Sequence, residues 1–343
     1  MRIPVSLAWL LLALTFFTAG LLRQFHDRTP HSPYVPPIVG SLLFAGLFFL
    51  LLVAAREWRR GAIPGPGIRL GSLTPILLML LIEKWTSLAV YNPVFFFISR
   101  AESRPAYLDA EFRTFAGVGL LLVCLLIAPL SRPTARKTWR RARRMRFPLA
   151  ALGTVAVIGG CYLVLAVLAV LLGGRLKLAW PEPSGLLLWV LAGQAILAFS
   201  EEAYYRGLLL SEMERLAPRL GARSPAGRRW IALLTTSALF GMEHLRLGTS
   251  LDELGRQLIF TIALGVLFGL LIMLSANLHY TAGIHAWINW LLLGAAPYYV
   301  DATGQPALPA GTYIGLTLIL AFGLVYVRQR LRPPRWLSPL PAR

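Results

Sequence analysis

The chain has 343 residues, of which 57% are hydrophobic and 14% charged, with a formal net charge of +19 and a mean hydropathy of +0.64. Soluble domains carry about 25% charged residues, so the composition excludes an ordinary globular protein and predicts an all-α, polytopic transmembrane helical bundle. The charge does not point to nucleic acid either, because the basic residues sort by loop as membrane topology requires.

Crossing a bilayer as a helix takes ~20 apolar residues, and about ten runs approach that length. They fall at 3–22, 36–55, 71–98, 115–130, 148–173, 185–210, 230–245, 257–275, 279–296 and 311–327. The first follows Arg2 and ends in small residues like a signal peptide, but its apolar run is too long for one and reads as a membrane helix. The third is interrupted by Glu83-Lys84, which leaves the span count open by one. With the N-terminus inside, the inner segments hold 23 of the 34 basic residues and the outer loops nine, whereas acids number three inside and eight outside. This is the positive-inside bias, and it puts both termini in the cytosol. Basic residues crowd 131–147, bracketed by Pro133 and Pro148, which reads as a cytosolic linker lying against anionic lipid head groups. Residues 1–147 are therefore expected to be N-terminal membrane helices plus linker, 148–330 a transmembrane core with the chemistry, and 331–343 a basic cytosolic tail. Cys124 and Cys161 both fall in spans, without metal-site spacing, and read as small buried hydrophobes. Only three of the basic residues are lysine, a skew that suggests a high-GC bacterial genome and hence a bacterial cytoplasmic membrane.

Three stretches of the core carry polar groups where lipid-facing helices should have none: Ser200-Glu201-Glu202 through Arg206, Phe240 through Glu243-His244, and His285 through Asn289. A charge at mid-bilayer costs at least roughly 2.5 kcal/mol on insertion scales, and such residues usually serve a pathway or a reaction. In an α-helix Glu201 and Glu202 diverge by about 100°, so they should not share a face. Glu202 and Arg206 stand at i and i+4 in the favourable order, a pair that neutralises itself. Glu201 then has no partner on its own helix and is expected to face neighbouring helices. Phe240 and His244 lie one turn apart, as do His285 and Asn289, so each pair shares a face. Lipid solvates none of these faces, so folding must gather them. Glu243, beside His244, is read as interfacial.

A carboxylate and an imidazole can hold and deprotonate a water, while an asparagine amide and a second imidazole can donate to a developing oxyanion. That is peptide hydrolysis without a covalent intermediate. A zinc site of Glu201, His244 and His285 is the alternative, although the chain has no His-Glu-x-x-His motif. At about 1.5 Å per residue, Glu201 is ~24 Å from the outer start of its helix, His244 ~21 Å from an inner start and Asn289 ~15 Å from another. They meet only if helix ends are displaced or helices tilt.

Glu-Glu-x-x-x-Arg at 201–206, Phe-x-x-x-His at 240–244 and His-x-x-x-Asn at 285–289 resemble, in order and spacing, the CAAX protease and bacteriocin-processing (CPBP, or Abi) family of intramembrane endopeptidases, related to the Ras-converting CAAX prenyl endopeptidase. The resemblance covers roughly 185–327. It implies that Glu201 and His244 activate water, that His285 and Asn289 form the oxyanion hole, and that Glu202, Arg206 and Phe240 support the site. It implies a glutamic-type protease without a cofactor, zinc being the less favoured variant, and a membrane-anchored protein or peptide as substrate. Two other classes stay open: a non-catalytic membrane partner or bacteriocin-immunity protein of the same fold, and a proton-coupled transporter.

Overall fold

Long apolar runs fold as helices because only a helix satisfies every backbone group within its own segment where water is absent. In the computed structural model, which describes residues 2–4, 67–69, 76, 117–121, 124–125, 147–171, 177–181, 185–244, 251–301 and 303–331, each of the six spans expected after residue 147 is built on a helix. The four spans expected earlier, the basic linker and the tail lie almost wholly outside the described residues. Where the first span was expected to begin, Arg2–Pro4 (β1) instead pairs antiparallel with Gly67–Arg69 (β2).

Helix α1 is Phe147–Leu171, α2 is Gly185–Glu201, and a π-helical segment, Glu202–Leu209, leads without a break into α3, Leu210–Leu216. A 3-10 turn, Ala217–Leu220, ends at Gly221 with φ 104°, a left-handed conformation that favours glycine. Helix α4, Pro225–Glu243, starts with Ser224 accepting from Gly227 N and proline in the first turn, both ordinary start signals. Helices α5 (Leu251–Ser275) and α6 (Leu278–Leu292) are joined by two residues only. Asn277 caps α6 by accepting from Tyr280 N at 3.1 Å, and Ala276 turns the chain at φ 49°. Helix α7 is Ala310–Leu331.

Among the described helices, Phe147–Leu171, Asp252–Ser275 and Ala310–Leu331 are long and apolar enough to cross a membrane. Leu152, Val155, Leu163 and Val170 on α1 and Ile319 and Val327 on α7 are exposed, the pattern of a lipid-facing surface. A short antiparallel ribbon, absent from the sequence reading, joins Lys177–Ala179 (β3) to Tyr298–Val300 (β4). Tyr162 ties it to α1 by donating to Pro297 O at 2.6 Å, and Tyr313 ties it to α7 by accepting from Tyr299 N at 2.7 Å.

The α4–α5 crossing is made by small residues, which let membrane helices approach closely. A Cβ on Gly265 would lie 3.1 Å from Ser237 Cα, and one on Gly241 or Gly269 would strike Ile262 or Leu233. Ile262, Gly265 and Gly269 on α5 thus oppose Gly241, Ser237 and Leu233 on α4, in antiparallel order. Helix α2 is approached in the same way, since a Cβ on Gly117 would lie 2.7 Å from Leu197 N.

Displaced helix ends bring Glu201 and His244 to comparable heights along their helices. The run from α2 does not stop near 210 but continues to Leu216, and α4 begins at Pro225 rather than 230. Measured from the turn between them, Glu201 stands about 22 Å up one arm and His244 about 28 Å up the other.

Candidate active site

Glu201 is the last residue of α2 and Glu202 the first of the π segment, where Leu210 N donates back five residues to Tyr205 O. Single π turns inside α-helices are rare and often mark functional positions. Here the widened turn buries every residue from Glu202 to Leu209, drawing Glu202 and Arg206 inward together.

Both acids meet His285 of α6. His285 Nδ1 lies 2.9 Å from Glu202 Oε1, and because a carboxylate only accepts, Nδ1 carries the proton and donates. His285 Nε2 lies 3.5 Å from Glu201 Oε2. The two glutamates diverge, yet one imidazole has a nitrogen for each. Exposure separates them, since the Glu201 side chain is 14% exposed and that of Glu202 is 0%.

The expected Glu202–Arg206 pair is present, with Arg206 Nη1 3.1 Å from Glu202 Oε1. That contact is close but misaligned for a hydrogen bond; the directed bond runs from Arg206 Nη2 to Gly265 O at 3.2 Å. The small-residue crossing of α4 and α5 is thus what brings a carbonyl to the guanidinium. The same guanidinium sits 4.3 Å over the ring of Phe240, a cation–π contact worth more when desolvated.

Phe240 is the hub of the aromatic packing. Its ring lies 4.3 Å from that of His244 and 5.8 Å from that of His285. His244 caps α4 and donates through Nδ1 to Phe240 O at 2.7 Å, while Gln257 of α5 donates to His244 O at 2.6 Å. The nitrogen in contact with Glu201 belongs to His285, and the ring of His244 packs against Phe240. Asn289 lies one turn past His285 on α6 and is half-buried. The structure thus gathers Glu201, Glu202, Arg206, Phe240 and His285, with the His244 ring on Phe240 and Asn289 one turn past His285. Among the described residues, no three His, Cys, Asp or Glu side chains converge in a way that could hold a metal ion.

Sequence reasoning missed Gly265, Gln257 and Phe268, whose ring stacks on His285 at 4.5 Å. Gly265-x-x-x-Gly269 was legible as a packing motif, but nothing in one apolar helix tells which residue covers a histidine on another. Among the described residues, four buried polar atoms around the site lack hydrogen-bond partners: Glu202 Oε2, Arg206 Nη1, Ser237 Oγ and Gln194 Nε2. Each such atom costs about 1–3 kcal/mol, which the fold must offset elsewhere.

Apolar helices thus bring together a carboxylate–imidazole cluster. Residues 183–291 match the family model for Type II CAAX prenyl endopeptidase Rce1-like proteins. This part of the chain is thus similar to Type II CAAX prenyl endopeptidases. All three motifs lie within the match. No curated protein and no solved structure matches the chain.

Proposed function

We propose that the protein is an intramembrane endopeptidase that hydrolyses membrane-associated protein or peptide precursors with a water activated by Glu201. The observation that carries this reading is the pair of carboxylates on the two nitrogens of His285. Arg206 neutralises Glu202, so the cluster as a whole is neutral when Glu201 and His285 hold one exchangeable proton between them. With that proton on His285, Glu201 is a carboxylate facing the more open side and can take a proton from water. His285 then presents an Nε2–H to the oxyanion of the tetrahedral intermediate, and the Asn289 amide is the second donor. Water oxygen bonds to the peptide carbon, Glu201 passes the abstracted proton to the leaving amine, and the C–N bond breaks. His244, held by its Nδ1–H on Phe240 O, turns Nε2 outward as an acceptor that assists in orienting the water. Glu202, Arg206 and Phe240 position His285.

The zinc alternative would use Glu201 Oε2, His285 Nε2 and His244 Nε2, which have suitable chemistry, but Glu201 and His285 already face each other as proton donor and acceptor. A non-catalytic partner or immunity protein has no need for this neutral, proton-sharing cluster. Ten spans, a separate N-terminal unit at 1–147, and a bacterial inner-membrane location with both termini cytosolic complete the proposal. Full-length protein in proteoliposomes should cleave members of a transmembrane-peptide library, and Glu201→Gln should abolish cleavage. Activity that survives Glu201→Gln rejects the assignment, and activity lost to a chelator and restored by zinc selects the metal mechanism.

A further inference from the structure

Helices α2 and α6 are tied together at two places, with a buried amide between them whose nitrogen has no hydrogen-bond partner among the described residues. At one tie, His285 meets Glu201 and Glu202; at the other, Trp290 Nε1–H donates to Leu191 O at 3.1 Å. The second tie lies before Glu201 on α2 but after His285 on α6, so the helices run antiparallel. Gln194 lies between the ties on α2, seven residues before Glu201, and therefore within about 20° of its face. Asn289 lies between them on α6, one turn past His285. The two amides occupy facing stripes of the same helix pair, on one side of the acid–imidazole cluster.

Gln194 is 1% exposed, and its Nε2 has no hydrogen-bond partner among the described residues. A dry, idle donor facing a neighbouring helix is a defect if the resting protein is all that matters. It is an asset if a peptide main chain must enter, because a carbonyl brought into an apolar groove also loses its water and needs a donor. The spacing indicates where the contact falls. Gln194 lies about 10 Å along the helix from Glu201, and an extended peptide advances about 3.4 Å per residue.

We infer that Gln194 is a substrate-binding residue whose side-chain amide donates to a main-chain carbonyl about three residues from the scissile bond. This rests on the endopeptidase reading above and adds a subsite to it. The residue has no proton to exchange and lies too far from Glu201 to act on the reacting atoms, so its contribution is to affinity and register.

The test uses full-length protein in proteoliposomes and one synthetic peptide, chosen from the library because the unaltered protein cleaves it, then shortened residue by residue from either end. Gln194→Leu and Gln194→Met remove the donor and keep the volume. Both should lower kcat/KM on the full peptide by about 2- to 12-fold, the range of a single net hydrogen bond, chiefly through KM. The penalty should vanish once the peptide is cut back to within about three residues of the scissile bond on one side. The thermal midpoint should hold or rise, since an unpartnered amide has been removed. An equal penalty at every peptide length, no penalty at all, or failure of both variants to fold each overturns the inference. If the unaltered protein cleaves nothing in the library, the endopeptidase reading falls, and this inference falls with it.

Discussion

One continuous helical run carries two buried acid–arginine pairs, and they differ in what else they touch. Glu202 and Arg206 are four residues apart, and Glu212 and Arg215 three apart with contacts of 2.6 Å; both glutamates are 0% exposed. Glu212 Oε2 takes both recorded contacts from Arg215, on its own helix. Glu202 instead holds the ring of His285 on α6, and its arginine holds Gly265 O on α5. Both acids are thus neutralised, and among the described residues one of them is linked to an imidazole that reaches a second, more exposed acid.

The largest effect should follow from removing that second acid. Glu201→Gln keeps shape and burial but removes the base, and general-base catalysis contributes typically 10²–10⁴-fold. Loss of cleavage by at least two orders of magnitude, with an unchanged thermal midpoint, is expected in single-turnover assays. A fall of less than tenfold would make Glu201 no different in kind from Glu212.

The two pairs are separated by substituting each fully. Breaking either pair from one side should destabilise by about 3–5 kcal/mol, because a buried charge is left alone. Replacing both partners, Glu202→Gln with Arg206→Met or Glu212→Gln with Arg215→Met, should recover much of that stability in thermal melts. Cleavage should return to near the original rate in the Glu212 double variant only. In the Glu202 double variant His285 has no carboxylate to fix the proton on Nδ1, so activity stays depressed while the fold is restored. Equal activity in both double variants would erase the distinction.

The cluster around His285 was partly legible in the sequence. Glu201, Glu202, His244, His285 and Asn289 stood out because ionisable and amide groups interrupted apolar runs, and the i, i+4 spacings of Glu202–Arg206 and Phe240–His244 follow from helix geometry alone. The meeting of Glu201 and Glu202 on one ring was not legible, because it depends on a π turn and on a partner 83 residues away. Glu212 lies in a basic inner segment and carried no signal of its own, yet tertiary packing buries it. Phe268 and Gln257 carried no signal, since their importance lies in what another helix places against them. The β3–β4 ribbon, with three residues per strand, is too short for a periodic pattern.

Gly265 offers a smaller perturbation that touches only the Glu202 end. Alanine there would press on Ser237 at 3.1 Å and shift the carbonyl that receives Arg206. Overpacking of this kind costs about 1–3 kcal/mol, so Gly265→Ala should lower the thermal midpoint and also reduce kcat. Gly269→Ala, which meets the flexible end of Leu233, should affect stability more than rate. Identical profiles for the two would mean that the Arg206–Gly265 bond does not position His285.

The smallest effect is expected at the turn between α5 and α6, which sets the height of Gly265 against that of His285. Only Ala276 and Asn277 join these helices, and Ala276 sits at φ 49°, where a Cβ crowds the backbone and glycine does not. Ala276 is exposed, so Ala276→Gly changes little besides that strain and the freedom of the unfolded chain. The two oppose each other, and at a left-handed position relief of strain wins, by about 1 kcal/mol or less. A small rise in the thermal midpoint with unchanged cleavage is the expected result, because the turn's path is already fixed by the Asn277 cap. If cleavage instead falls while stability rises, the strain at Ala276 is holding α6 in place against Glu201 and Glu202. The difference between the two acid–arginine pairs would then extend from their contacts to the turn that maintains one of them.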